Sequence, residues 1–169
     1  IKVIGNVGKS EEQKDLPNLF KSLNKKKKKN LDIILVAVGK NLKKYAIDTD
    51  RIIFLGLRSD VQNLMKSFDI FCLSSKAEGF PNVIGEAMLS GLPCITTDVG
   101  DAKEIVGNTG WVIPANNPLL LANCIDKVIK IKPEKLKKYS KYARQKIISK
   151  YDINHIKNEY ISLYHSLLS

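Results

Sequence analysis

The stretch Leu31–Lys40, LDIILVAVGK, places apolar side chains at both alternating sets of positions, so an extended chain here has almost no wet face. That pattern belongs to a parallel strand covered by helices on both sides. Working outward, short apolar runs at Ile1–Ile4, Asp32–Val38, Ile52–Leu55, Ile70–Leu73, Cys94–Thr97 and Trp111–Ile113 make six expected strands. Amphipathic segments alternate with them to about residue 130, which predicts an α/β layered sheet.

The helices between these strands have legible starts. Ser59 is placed to cap the segment DVQNLMKSF, with Asp60 at its positive end, and Asp15 precedes LPNLFKSL with Pro17 in the first turn. Gly39, Gly56, Gly79 and Gly100 each fall at or just after a strand end. That is where an open parallel sheet forms its ligand crevice, although each glycine taken singly is equally an ordinary turn residue. After Pro133 the alternation gives way to two helices, about 134–149 and 154–168. In the second, Ile153, Ile156, Tyr160, Ile161, Leu163, Tyr164 and Leu167 make an apolar stripe that calls for a partner surface.

A chain of 169 residues with 44% apolar content is of single-domain size and too aliphatic for disorder. Its apolar runs stop well short of the roughly 20 residues that a membrane span needs. The opening IKVIGNVGK carries no basic leader or small-residue cleavage site, so a cytoplasmic protein or an excised domain of one is expected. The net charge of +11 suggests a polyanion partner until it is divided. Of 28 basic residues 25 are lysine, whereas bidentate reading of phosphates and bases favours arginine. Residues 51–125 hold five basic and seven acidic side chains, so the excess sits at the two ends and no nucleic-acid partner is expected. Cys72, Cys94 and Cys124 lack metal or redox spacing and read as small core hydrophobes. His155 and His165 have no companions that would complete a ligand set, and no metal is expected.

Chemistry concentrates in Leu73–Gly91, LSSKAEGFPNVIGEAMLSG. The segment runs from a strand end through Glu78, Gly79 and Phe80 into a helix beginning near Pro81 or Asn82, with Glu86 one turn inside. Unpaired N–H groups and the partial positive charge of a helix start suit a phosphate. Carboxylates flanking such a site repel phosphate and accept hydroxyls instead. The pair therefore suits a phosphorylated, polyhydroxylated ligand such as a nucleotide sugar, while either glutamate alone reads equally as a solvated surface residue.

The string EGFPNVIGEAMLSGLPCITTDVG, residues 78–100, resembles the signature of retaining GT-B glycosyltransferases, glycosyltransferase family 4 in particular. RIIFLGLRSDVQNLMKSFDIFCLSS and GDAKEIVGNTGWVIPANNP are similar to the family's flanking segments, and IKVIGNV and LDIILVAVGK to its opening strands. The resemblance implies a Rossmann-like three-layer α/β/α domain that forms one half of a GT-B fold and binds a nucleotide-diphosphate sugar. Residues 1–150 would be that donor domain, and residues 151–169 a C-terminal helix returning to an N-terminal acceptor domain. It implies Glu78 against donor-sugar hydroxyls, Glu86 against the ribose, and the backbone of Gly79, Phe80, Pro81, Asn82 and Val83 facing sugar and diphosphate. The family's diphosphate-binding Arg falls on Asn6 and its Lys on Lys14, with Lys9 as a further cation. Gly39 with Lys40, and the turn Gly56, Leu57 and Arg58, resemble the nucleotide-facing loops.

The implied activity is retaining transfer of a sugar to a glycan or lipid-linked acceptor in cell-envelope polysaccharide synthesis, with Glu78 and Lys14 as the catalytic pair and no cofactor. An isolated donor domain would bind nucleotide without transferring sugar. The amide at Asn6 keeps open a non-catalytic nucleotide-sugar-binding subunit, and a GT-B-fold epimerase is the other alternative. A dinucleotide oxidoreductase would need G-x-G-x-x-G after its first strand, which IGNVGKS lacks. The run Lys25–Lys29 reads as a solvated helix end or loop and carries a secondary expectation of peripheral contact with the inner face of a membrane.

Overall fold

Parallel pairing throughout is what doubly apolar strands demand, and a computed structural model of the chain, describing residues 1–24, 33–45 and 50–168, shows it. The strands are β1 (Lys2–Val7), β2 (Ile33–Val38), β3 (Ile52–Gly56), β4 (Ile70–Leu73), β5 (Cys94–Thr97) and β6 (Trp111–Ile113). Their order across the sheet is β3-β2-β1-β4-β5-β6, every neighbouring pair parallel. Between them run α1 (Leu16–Asn24), α2 (Val61–Met65), α3 (Asn82–Leu89), α4 (Ala102–Val106) and α5 (Pro118–Ile129), followed by α6 (Pro133–Lys150) and α7 (Ile153–Leu168).

The two faces of the sheet bury alternate residues of each strand. Ile33, Leu35 and Ala37 of β2 and Ile70 and Cys72 of β4 pack with α1 and α5. Val36, Val38, Phe71 and Leu73 point the other way, onto α2, α3 and α4. Helix α6 closes the sheet's side, giving Leu136 to the first core and Ala143 and Ile147 to the second. Cys72 and Cys94 are buried in the sheet and Cys124 half-buried, all three free. Burial pushes their thiols up, that of Cys124 to about 11, so they act as packing groups.

Two expectations shift. Strand β1 continues through Gly5 and Asn6 to Val7, where the sequence suggested an end at Ile4. Gly5 allows this because a Cβ there would overlap the Phe68 ring, and the Asn6 amide donates to the Cys72 carbonyl at 2.9 Å inside the sheet. Helix α2 begins at Val61, and neither Ser59 nor Asp60 caps it, since Arg58 takes both carboxylate oxygens of Asp60 at 2.8 Å. Helix α7 buries none of its side chains, so its apolar stripe lies open, with Ile153 76% and Leu167 72% exposed. Lys25–Lys29 and the start of the expected strand at Asp32 lie outside the described residues. No helix among the described residues is long and apolar enough to cross a membrane.

Phe71 is wholly buried on β4, between β1 and β5. Phe71→Ala is expected to lower unfolding free energy by about 3–5 kcal/mol, read from urea denaturation, because the sheet cannot collapse onto the space left.

Candidate functional site

All six strands end on one side, and the loops leaving β1, β2, β3 and β4 surround a cleft of about 790 Å³ there. Glycines bring the loops together. Gly39, at φ 150°, lies so close to Gly8 that a Cβ would overlap the Gly8 carbonyl oxygen, and its N–H donates to the Gly56 carbonyl at 2.8 Å. Gly100, at φ 49°, leaves no room for a Cβ beside the carbonyl oxygens of Glu78 and Gly79, and the next N–H, of Asp101, donates to Gly79 at 3.0 Å. The loop holding Glu78 is thus fixed from behind by backbone.

Lys14 and Glu78 meet at the centre of this rim. Lys14 Nζ lies 2.7 Å from Glu78 Oε1 and 3.0 Å from Oε2, and the Ser75 hydroxyl donates to Oε1 at 2.5 Å. The Glu78 side chain is 8% exposed and that of Lys14 18%. Behind them, the Ser74 hydroxyl donates to the carbonyls of Lys14 and Asp15, and Thr97 donates to the Ser75 carbonyl at 2.7 Å. The pair is therefore seated by buried hydroxyls at the ends of β4 and β5, in a setting far less screened than a surface ion pair.

Helix α3 starts at Asn82 with no side chain capping it; the Asn82 and Ile84 N–H groups donate to the Phe80 and Pro81 carbonyls at 2.9 Å, and this end of the helix borders the cleft through Pro81, Asn82 and Val83. Glu86 lies one turn along the same wall, and Phe80, 49% exposed, forms its lip. Of the residues singled out from sequence, Lys14, Gly39, Leu57, Glu78, Phe80, Pro81, Asn82, Val83 and Glu86 line the cleft. Gly56 and Gly79 sit behind it, acting through the backbone bonds just described.

Asn6 does not reach the cleft. It is 2% exposed in the interior of β1, and its amide NH2 donates to the Cys72 carbonyl of β4. The glycine-plus-cation pair that follows the first strand is Gly8–Lys9, and Lys9 lines the cleft. IGNVGK holds two Gly-polar pairs, Gly5–Asn6 and Gly8–Lys9, and because β1 continues to Val7 only the second follows the strand, which corrects the placement on Asn6. The sequence reading also passed over Ser10, Glu11, Gln13, Asn41 and Lys44, which line the same wall without a recognisable motif. Lysines 9, 14, 40 and 44 with Arg58 give five cations against Glu11, Glu78 and Glu86, a lining suited to an anion with hydroxyls. Among the described residues no three His, Cys, Asp or Glu side chains converge as a metal site.

A 3-2-1-4-5-6 parallel sheet with its cleft at the carboxyl ends of the strands defines a Rossmann-like domain. Solved structures share this fold. The crystal structure of Anabaena Alr3699/HepE in complex with UDP and glucose matches 97% of this chain and 48% of its own, at TM-score 0.84 and 24% identity. The C-terminal domain of a glycosyl transferase group 1 family protein (LpcC) from Francisella tularensis matches 90% of this chain and 87% of its own, at TM-score 0.75 and 23% identity. Residues 1–130 match the family Glycosyl transferases group 1, and the chain belongs to that family. An Escherichia coli relative, UDP-Gal:alpha-D-GlcNAc-diphosphoundecaprenol alpha-1,3-galactosyltransferase, is 33% identical over 148 residues. The match spans 78% of this chain and 38% of that relative, so this chain is well under two thirds of the relative's length.

The turn that carries Lys14 ends in Asp15, whose φ of 43° is left-handed, a region Asp and Asn tolerate better than most residues. Burial raises the Asp15 carboxyl above its ordinary 3.8, offset in part by Lys76, the Asn18 N–H and Lys21. A raised folded-state value gives stability that is complete below the unfolded value and is lost as pH rises through the folded one. Asp15→Asn removes that loss, so its stability relative to the parent chain should climb from pH 3.5 towards pH 6. Urea midpoints across that range are the check, and a pH-independent difference would contradict it.

Proposed function

We propose that this chain is the donor-binding domain of a retaining glycosyltransferase of family 4, which moves a sugar from a nucleotide diphosphate to a glycan or lipid-linked acceptor in cell-envelope polysaccharide synthesis. The observation that carries the reading is the Lys14–Glu78 pair beside the uncapped start of α3. Transfer from such a donor builds negative charge on the leaving diphosphate while the sugar becomes oxocarbenium-like. Lys14 serves the first charge, with Lys9 and the N–H end of α3. When Lys14 turns to the diphosphate, the Glu78 oxygens it held become acceptors for the sugar hydroxyls. With Ser75 keeping one oxygen, Glu78 orients the sugar, and Glu86 takes the ribose. Gly39, Lys40, Leu57 and Arg58 stand where the base would lie.

In this reading, charge on the leaving group is met by side chains and the helix end, with no resident metal. The acceptor site belongs to an N-terminal domain, and the apolar stripe of α7 packs on it; residues 1–150 are the donor unit. The enzyme works in the cytoplasm, peripherally at the inner membrane face, where relatives named for diphosphoundecaprenol substrates and for capsular polysaccharide biosynthesis suggest its acceptors lie. The alternative of a non-catalytic binding subunit drew on Asn6, and it loses that support because Asn6 faces the sheet.

A thermal-shift panel of UDP, GDP and ADP with their sugar conjugates tests binding. A ligand at 100 times its Kd adds about 2.7 kcal/mol to the folded state. At least one should stabilise the chain, Lys14→Met should weaken that ligand about tenfold or more, and no response to any nucleotide would reject the reading. Within the two-domain enzyme, Glu78→Gln is expected to cut transfer about 100-fold or more with nucleotide affinity nearly unchanged, measured as sugar release and nucleotide binding on the same preparation.

A further inference from the structure

The β6 edge of the sheet carries a second concave surface, away from the cleft. Asn108, Lys135, Lys138, Tyr139 and Tyr142 line it around a volume of about 470 Å³. Asn108 belongs to the 3-10 turn just before β6, and the other four belong to α6, where spacings of three and four put them on one face. The Tyr139 ring is held against Trp111, centroids 4.7 Å apart and planes at 43°. Tyr142 stands 56% exposed beside it. No carboxylate is among the lining residues, so the two lysines leave the groove positive.

This combination has a specific complement. Tyrosine faces offer a flat surface at low entropic cost, and the C–H face of a pyranose ring is the apolar, slightly positive partner that suits it. Lysine ammonium groups supply point charges for carboxylates, and the Asn108 amide can both donate to and accept from hydroxyls. A membrane surface fits less well. Helix α6 spends Leu136, Ala143 and Ile147 on the protein core, and its one half-exposed aliphatic side chain, Ile148, is nine residues from Tyr139 and so on the opposite side of the helix from the groove. The groove is also separate from the cleft. Tyr151, at the other end of α6, packs on Phe80 at the cleft lip, and a helix covers the distance from Tyr139 to Tyr151 in about 18 Å.

We propose that this groove binds an acidic oligosaccharide, a carboxylate-bearing pyranose segment seated on Tyr139 and Tyr142 with its charges on Lys135 and Lys138. The site is distinct from the donor cleft and does not depend on the reading given to that cleft. The sole tryptophan of the chain, Trp111, backs the groove and reports on it directly.

The test titrates the protein with tetragalacturonic acid and, separately, with maltotetraose, following Trp111 fluorescence and confirming affinity by calorimetry. The acidic tetramer should bind at least tenfold more tightly than the neutral one. Tyr142→Ala and the double variant Lys135→Gln/Lys138→Gln should each weaken it tenfold or more, with unchanged melting temperatures because these side chains are exposed. Saturating nucleotide should leave the titration unmoved while still shifting the melting temperature, so failure here and failure at the cleft are separable. Equal binding of the two tetramers, no binding, or variants that bind like the parent chain would overturn the proposal. So would phosphatidylglycerol vesicles that cosediment with the protein through the same side chains while the tetramer does not bind.

Discussion

The molecule is organised around one topological fact, the reversal of chain direction across the sheet between β1 and β4. From β1 the chain builds outward to β2 and β3, then returns to lay β4 on the other side of β1. Loops leaving β1 and β4 are thereby thrown apart above the sheet, and a crevice opens between them. Lys14 follows β1 and Glu78 follows β4, so their buried ion pair bridges this parting. Two charges this far out of water are tolerable only with good geometry and further hydrogen bonds. Ser75 supplies such a bond directly, and Ser74 and Thr97 supply them one layer down.

That arrangement explains why the cleft depends so much on glycine and hydroxyl residues whose side chains a ligand would never touch. Gly100 must be left-handed and without a side chain for the Glu78 loop to rest on it, and Gly39 must be bare for the β2 loop to approach Gly8. The loops are held by backbone, which leaves the charged side chains free to answer a ligand.

Much of this was legible in sequence because it rests on local pattern. The doubly apolar run at residues 33–38 does occupy both faces, and the interval from Glu78 to Glu86 does put both carboxylates on one wall. What escaped the sequence was set by contacts distant along the chain. Gly5 and Asn6 look like turn residues, yet Phe68 and Cys72, more than sixty positions on, absorb them into β1. That moved the expected cation from position 6 to Lys9. The cap expected at Ser59 fails for a local reason instead, since α2 starts only at Val61 and Arg58, two residues away, holds Asp60. The mutual pairing of Lys14 and Glu78 could not be read from motifs, because a resemblance assigns each a ligand and not each other.

The charge of the chain acquires a similar resolution. The excess lysine looked like background, and over much of the surface it is. On α6, however, the lysines are sorted by the helix's own geometry. Its apolar side is claimed by both cores, which forces every charge onto the remaining arc, and Trp111 at the sheet edge then fixes an aromatic ring in the middle of that arc. A featureless basic composition thus becomes a shaped, charged surface only where a strand edge meets a helix that closes the sheet. The same helix ends at Tyr151 against Phe80, so the element that shapes the groove also props the lip of the cleft.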